Sequence, residues 1–227
     1  MIRFAALALL TATPALAAEM NVPVGSFDRL SLSGSPEVLV TTGKAVTVRA
    51  SGEQKALDRL DIRVENGVLK IGTKKGNWDV TWGKYGKVRV AVTVPMLRGV
   101  DLGGSGTISV DRIKVPSFGA AVGGSGSIRV ASLDAERASF EVGGSGSIDA
   151  AGRCGDTQAS IGGSGSLRLG ALKCATLTAS IGGSGDIDAF ASRAAKVSVA
   201  GSGDARIAGG AKCSVSKVGS GSVTCPA

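Results

Sequence analysis

From Val100 to the C-terminus, apolar residues recur at every second position on both sides of a short glycine-rich motif. Leu102, Val122, Val142, Ile161, Ile181 and Val199 stand immediately before it, with Val100, Ala120, Phe140, Ala159, Ala179 and Val197 two residues earlier. After it come the pairs Ile108/Val110, Ile128/Val130, Ile148/Ala150, Leu167/Leu169, Ile187/Ala189, Ala205/Ile207 and Val223/Cys225. A period of two is the signature of a strand with one buried face. The pattern predicts two short strands per repeat, joined by a glycine corner.

The motif itself is Gly-Gly-Ser-Gly, beginning at Gly103, Gly123, Gly143, Gly162 and Gly182, with the variants Ala200-Gly201-Ser202-Gly203 and Val218-Gly219-Ser220-Gly221. A period of roughly 18–20 residues means a solenoid, because one such unit buries its apolar face only when a neighbour stacks on it. The expected fold is therefore all-β, a right-handed parallel β-helix (β-solenoid) with roughly 18–20-residue coils and a more irregular N-terminal β region. A flexible Gly/Ser linker would not hold apolar residues in fixed register with each motif. A phosphate-binding loop would need a helix after the glycines, and none of the copies is followed by a helical pattern. Stacking the coils also aligns one outward column, Ser109, Arg129, Asp149, Arg168, Asp188, Arg206 and Thr224. Its alternating signs predict an ion pair at every central step, fixing coil register.

Residues 24–98 lack the repeated motif but alternate well, as in Val38-Leu39-Val40 and Val88-Arg89-Val90-Ala91-Val92-Thr93-Val94. Glu65-Asn66-Gly67 between two alternating runs is a hairpin signal, and Ser51 to Leu60 holds room for one helical turn. The organisation expected is a signal peptide over 1–17 and a single solenoid domain over 18–227. Within that domain, 24–98 serve as an N-terminal β region or cap, and 99–227 form the repeat coils.

The signal peptide rests on Met1-Ile2-Arg3, an apolar run from Phe4 to Ala12, and Ala15-Leu16-Ala17 as the cleavage site. No later apolar stretch approaches the ~20 residues of a spanning helix, so the mature chain is expected to carry no transmembrane segment. Export places the protein in the periplasm or at the cell surface, where four cysteines read as two disulfides. Cys154 and Cys174 each fall eight residues before a corner and so stack on successive coils, leaving Cys213 and Cys225 to tie down the last coil. The formal charge is +8, or +7 once Arg3 leaves with the signal, which favours polyanions, in an exported protein envelope polymers rather than nucleic acid.

Candidate chemistry is sparse. There is no histidine, which removes Ser-His-Asp and Cys-His catalysis and most zinc and iron sites, and no local motif supports a Ser-Lys dyad. No catalytic residue, metal or cofactor is expected. Asp186, Asp188 and Asp204 follow corners, but their spacing does not match calcium-binding β-roll repeats, and they read as solvated carboxylates partnered by Arg168 and Arg206. The corner serines form a column at bends rather than on a flat face. The segment Lys74 to Lys87 stands out: Trp78, Trp82 and Tyr85 are interleaved with Lys75 and Lys84, an aromatic platform beside cations that suits sugars or acidic glycans. The same residues also fit a simpler role, with Trp78, Val80 and Trp82 closing the end of the core and lysines guarding an edge.

Ser26-Phe27-Asp28-Arg29-Leu30 leading into Ser33-Gly34-Ser35, then Val64-Glu65-Asn66-Gly67-Val68-Leu69-Lys70-Ile71, then Val92-Thr93-Val94-Pro95 and the Gly-Ser-Gly corners follow one another in a distinctive order. In this the chain resembles the putative auto-transporter adhesin, head GIN domain family, over nearly all of its mature length. The resemblance implies a β-solenoid of the bacterial envelope and an adhesive role, and brings no binding or catalytic residues with it. The expectation is a non-enzymatic exported binding, adhesion-like or scaffold module whose partner is envelope polysaccharide or a surface protein. The alternative is a purely structural or self-associating solenoid with no small ligand.

Overall fold

A computed structural model describes residues 18–43, 45–74 and 87–225. The N-terminal part runs β1 (Ala18–Asn21), β2 (Arg29–Gly34), β3 (Glu37–Thr42), β4 (Thr47–Gly52), α1 (Gln54–Leu57), β5 (Leu60–Glu65), β6 (Val68–Thr73) and β7 (Arg89–Val94). The repeats follow as β8 (Gly99–Gly104), β9 (Thr107–Val110), β10 (Ile113–Val122), β11 (Ser127–Val142), β12 (Ser147–Ile161), β13 (Ser166–Gly183), β14 (Asp186–Gly201), β15 (Ala205–Ala208), β16 (Lys212–Val218) and β17 (Val223–Thr224). Of the described residues 71% are strand and 2% helix, and they form a β-solenoid of about 6 turns, as the repeat predicts.

Coils stack in strict register. Ile108, Ile128, Ile148, Leu167 and Ile187 are successive parallel partners, each no more than 1% exposed. On the other side of the corner the column Val100, Ala120, Phe140, Ala159, Ala179, Val197 mixes large and small side chains, and the Phe140 ring lies 6.4 Å from that of Phe118. Each large aliphatic so buried contributes about 1.5–3 kcal/mol against the entropy of ordering the chain.

The corners are bonded through their backbones. Ser125 N–H donates to the Gly104 carbonyl at 3.0 Å, Ser145 to Gly124 at 3.1 Å, Ser164 to Gly144 at 3.1 Å and Ser184 to Gly163 at 3.0 Å. The rungs approach so closely that a Cβ on Gly144 would sit 2.6 Å from the Gly124 carbonyl oxygen, and one on Gly146 2.5 Å from that of Gly126. The first glycine of each motif differs: a Cβ on Gly162 would meet nothing within 4 Å. Glycine is thus required at the second and fourth positions for proximity and is free to vary at the first.

Up to β14 each repeat coil carries three ladder segments rather than the two strands expected, and the last coil pairs through two. Between β11 and β12 these are 127–130 on 147–150, 133–135 on 152–154 and 137–142 on 156–161. The middle segment escaped the pattern because its inward positions are short and mixed, Ile113/Val115, then Leu133/Ala135, then Gly152/Cys154, with register shifts at its bends. Cys154 and Cys174 are direct partners there, Cα atoms 4.5 Å apart, and form one disulfide; Cys213 and Cys225, 6.6 Å apart, form the other.

The N-terminal region is itself part of the stack. β2 pairs with β8 and β3 with β9, so Gly34-Ser35-Pro36 lies directly beneath Gly104-Ser105-Gly106 as an additional corner. On their other side β2 and β3 pair with β6 and β7, which make the rung below. The chain therefore lays down its second rung first, leaves, returns underneath, and then crosses to the third. Antiparallel strands finish this end: β5 on β6 through a turn with positive φ at Asn66 and Gly67, and β4 on β7 with β1 outside it. α1, the one helix among the described residues, buries Ala56 and Leu57 against the end of the core.

The charge ladder forms only in part. Arg168 reaches Asp149 at 3.3 Å, but Arg206 lies nearest Asp204, at 3.9 Å, and no ion pair joins Asp188 to Arg168 or Arg206 among the described residues. The arginines are exposed and the carboxylates partly so, solvent competes for them, and the ion pairs do not set the register.

Two substitutions separate proximity from simple glycine content. Gly144→Ala is expected to cost about 1–3 kcal/mol, read as a lower urea midpoint, because the rung below must move. Gly162→Ala is expected to be neutral or to stabilise by up to about 1 kcal/mol. Equal losses in both would disprove the stacking account. For the disulfide, Cys154→Ala with Cys174→Ala is expected to lower stability by about 3 kcal/mol, the chain-entropy value for a loop of that length, and an unchanged melting temperature would show that packing alone fixes this segment.

Candidate binding surfaces

Trp78, Trp82, Tyr85, Lys75 and Lys84 lie outside the described residues; the ends of their segment are described. In the rung made by β2 and β3, Leu32 and Glu37 flank a tight corner. Their partners one rung below are Ile71 and Arg89, so residues 72–88 connect the same two positions that 33–36 connect above. Where the rung above has a short corner, this rung has a longer connection, and it carries both tryptophans and the only tyrosine of the sequence. Its first end is fastened: Lys74 N–H donates to the Arg59 carbonyl at 3.0 Å and Lys74 Nζ to the Asp58 carbonyl at 2.7 Å. At the other end the Lys87 carbonyl and Val88 pack on Gly52, whose φ of +159° is extended backbone.

Two features went unseen in the sequence. The first is a shallow groove of about 680 Å³ at the bend after the middle ladder segment, where Pro116, Glu136 and Gly155 drop out of the pairing. Gly155 fits there because a Cβ would lie 2.6 Å from the Glu136 carbonyl oxygen. Lys114, Arg153 and Arg193 line it together with Asp134, Glu136 and Asp156. Arg153 grips Asp134 with two hydrogen bonds, 3.1 and 2.6 Å, which hold that carboxyl below its usual range, and Asp156 accepts the Thr176 hydroxyl at 2.6 Å. A smaller hollow of about 220 Å³, bounded by Ser117, Arg137, Asp156 and Gln158, continues the groove.

The second is a flat hydroxyl-bearing face on the strand before the corner. Ser160, Ser180, Ser198 and Ser216 stack as parallel partners, and Ser139, Gln158 and Thr178 form a column two residues earlier. Sequence periodicity marks these positions only as outward, and their alignment becomes visible once the rungs are in register.

The acidic residues after the corners serve the backbone. Asp186 Oδ1 accepts the Asp204 N–H at 3.2 Å, and Asp204 Oδ1 accepts both the N–H and the hydroxyl of Ser222, at 2.9 and 2.8 Å. Those donations hold the Asp204 carboxyl below its usual range, with Arg206 adding to the effect. Among the described residues no group of three or more His, Cys, Asp or Glu is placed to hold a metal ion, and none of the lysine hydrogen bonds found there goes to a serine. No helix among them is long and apolar enough to cross a membrane.

Comparison with solved structures returns the same solenoid. A putative adhesin from Bacteroides fragilis superposes with a TM-score of 0.85 at 18% identity, covering 93% of this chain and 97% of the other. A putative lipid binding protein from Parabacteroides distasonis gives 0.74 at 20% identity, and a putative adhesin from Parabacteroides merdae 0.68 at 16%, each covering 92% of this chain and 96% of the other. At these identities the likeness is one of fold. No curated protein sequence matches the chain. The model of the putative auto-transporter adhesin, head GIN domain family matches residues 26–211, most of the length, and the chain belongs to that family.

Proposed function

We propose that this protein is an exported, non-enzymatic adhesion-like module of the bacterial envelope that binds anionic glycans through the connection between β6 and β7. The observation that carries the reading is the substitution of residues 72–88 for a corner that is otherwise a few residues long. A long connection on a rigid scaffold is where binding residues concentrate. This one brings Trp78, Trp82 and Tyr85 together in sequence with Lys75 and Lys84, a composition that stacks on sugar rings and neutralises acidic groups. The membership of an adhesin family, and the adhesin names of two of the structural neighbours, accord with this role and with a secreted or surface location. The leader over residues 1–17 supplies the route of export.

The charged groove beside Arg153 supports a polymer rather than a small ligand. It is shallow and open and is continued by a second hollow, so a chain of polar units has more to contact than a single one.

Both tryptophans lie within the proposed site, so intrinsic fluorescence reports on it alone. Titration of the mature protein with purified acidic envelope polysaccharide is expected to give a saturable shift that weakens with salt and is lost in Trp82→Ala, with circular dichroism confirming that the variant is folded. A folded wild-type protein whose fluorescence no acidic glycan alters would overturn the proposal and leave the aromatics as an end cap of the core.

A further inference from the structure

The two ends of the stack are finished differently. At the N-terminal end α1 buries Ala56 and Leu57, and the outermost strands are β1, on β4, and β5, on β6; β5 carries Asp61, Arg63 and Glu65, with ion pairs joining Arg63 to both carboxylates and Lys70 to Glu65. These bonds hold the Glu65 carboxyl at about 2, the Lys70 amine contributing most and Arg63 next. Such an edge, filled with internally satisfied charge, offers little to an incoming strand.

At the other end β16 pairs with β14 on one side only, and all seven of its residues are exposed. Its inward positions repeat those of the rung below, Cys213 over Ala195, Val215 over Val197 and Lys217 over Val199, and no further rung covers them. Val215 is 47% exposed and Val218 74%, two of the four large apolar side chains exposed among the described residues. The backbone is extended and in parallel register, and the Cys213–Cys225 disulfide fastens it to the end of the coil. It is a strand template held open.

Charge decides what the template accepts. After Asp204 the described chain contains Arg206, Lys212 and Lys217 and no carboxylate. Lys217 occupies a core position, where its amine reaches only the Gly221 carbonyl at 2.9 Å. A second copy presenting the same edge would bring four lysines to one seam, and like charges across paired strands are destabilising. An extended segment with carboxylates opposite Lys212 and Lys217 and a β-branched residue opposite Val215 satisfies the charge, the backbone groups and the apolar position together.

We propose that β16 is a β-augmentation site for an extended acidic segment of a partner protein, which adds to the solenoid as its next rung. This surface lies at the opposite end of the stack from the β6–β7 connection, so the two sites can fail independently.

The test is fluorescence anisotropy of a short fluorescein-labelled peptide alternating Glu, Val and Thr, titrated with the mature protein. The peptide is expected to bind saturably, the version with Lys for Glu not to bind, and Lys212→Glu in the outward-facing position to weaken binding at least about tenfold. A version N-methylated along its backbone keeps its charge but loses its donors and is expected not to bind. Equal binding of the N-methylated peptide would reduce the interaction to ionic adsorption and overturn the proposal, as would no binding by the acidic peptide. Concentration-dependent doubling of mass in sedimentation, abolished by Val215→Lys, would also overturn it by assigning the edge to a second copy.

Discussion

The structure depends on how closely one corner lies upon the next. Each corner carbonyl accepts an N–H from the rung above, and the distance that makes those bonds leaves no space for a Cβ on Gly144 or Gly146. Parallel strands at the usual ~4.8 Å spacing follow from that contact, and so does the alignment of every column before and after it. The isoleucine column is continuous because the corners admit only one register: a shift by a single residue would send Ile128 and Ile148 outward. Hydrophobic burial supplies the larger free energy, while the corner backbone decides where that burial occurs. The surface charges follow the register without setting it, as the sparse pairing along the Arg129 to Arg206 column shows.

The same constraint explains why the N-terminal region joins the solenoid despite its different sequence. Pro36 holds the position that Gly106 holds one rung above, and it sits lower in the stack, with its carbonyl accepting the Thr107 N–H at 3.1 Å. Beneath β2 and β3 the next rung is β6 and β7, whose strands are joined through residues 72–88 instead of a four-residue corner. On the far side of that rung the antiparallel strands β4 and β5 supply the hydrogen bonds that a further parallel rung would otherwise supply.

The solenoid, the coil length, the corners, the hairpin at Asn66, the helical turn near Gln54 and both disulfides were legible in the sequence because each depends on local pattern or fixed spacing. The middle ladder segment was not, since Gly152, Cys154 and Ala191 in inward positions carry no apolar alternation. Nor was the rung order at the N-terminal end, where strands adjacent in the chain are separated in the stack. The groove at Arg153 draws its charges from β10, β11, β12 and β14, which come together only once the coils are aligned. Asp186 and Asp204 were identified as notable and assigned to arginines: Arg206 does reach Asp204, at 3.9 Å, but what the pattern did not show is that both carboxylates also accept a backbone N–H of the next rung, a short reach that competes well with a mobile guanidinium in water.

A solenoid of this kind offers surface rather than an enclosed cavity, which bears on what it can bind. Its sides are repetitive, and a repeated hydroxyl or charged column presents the same weak contact many times, so affinity for a polymer accumulates along the stack where a small molecule gains only one contact. Its ends are unique. One is closed by a helix, antiparallel strands and paired charges; the other exposes backbone and valine beside Lys212 and Lys217, which have no carboxylate partner among the described residues. The two proposed attachments, glycan at the connection of the lowest rung and a protein segment at the open edge of the highest, thus lie at opposite ends of one stack and need no signal passed through the fold.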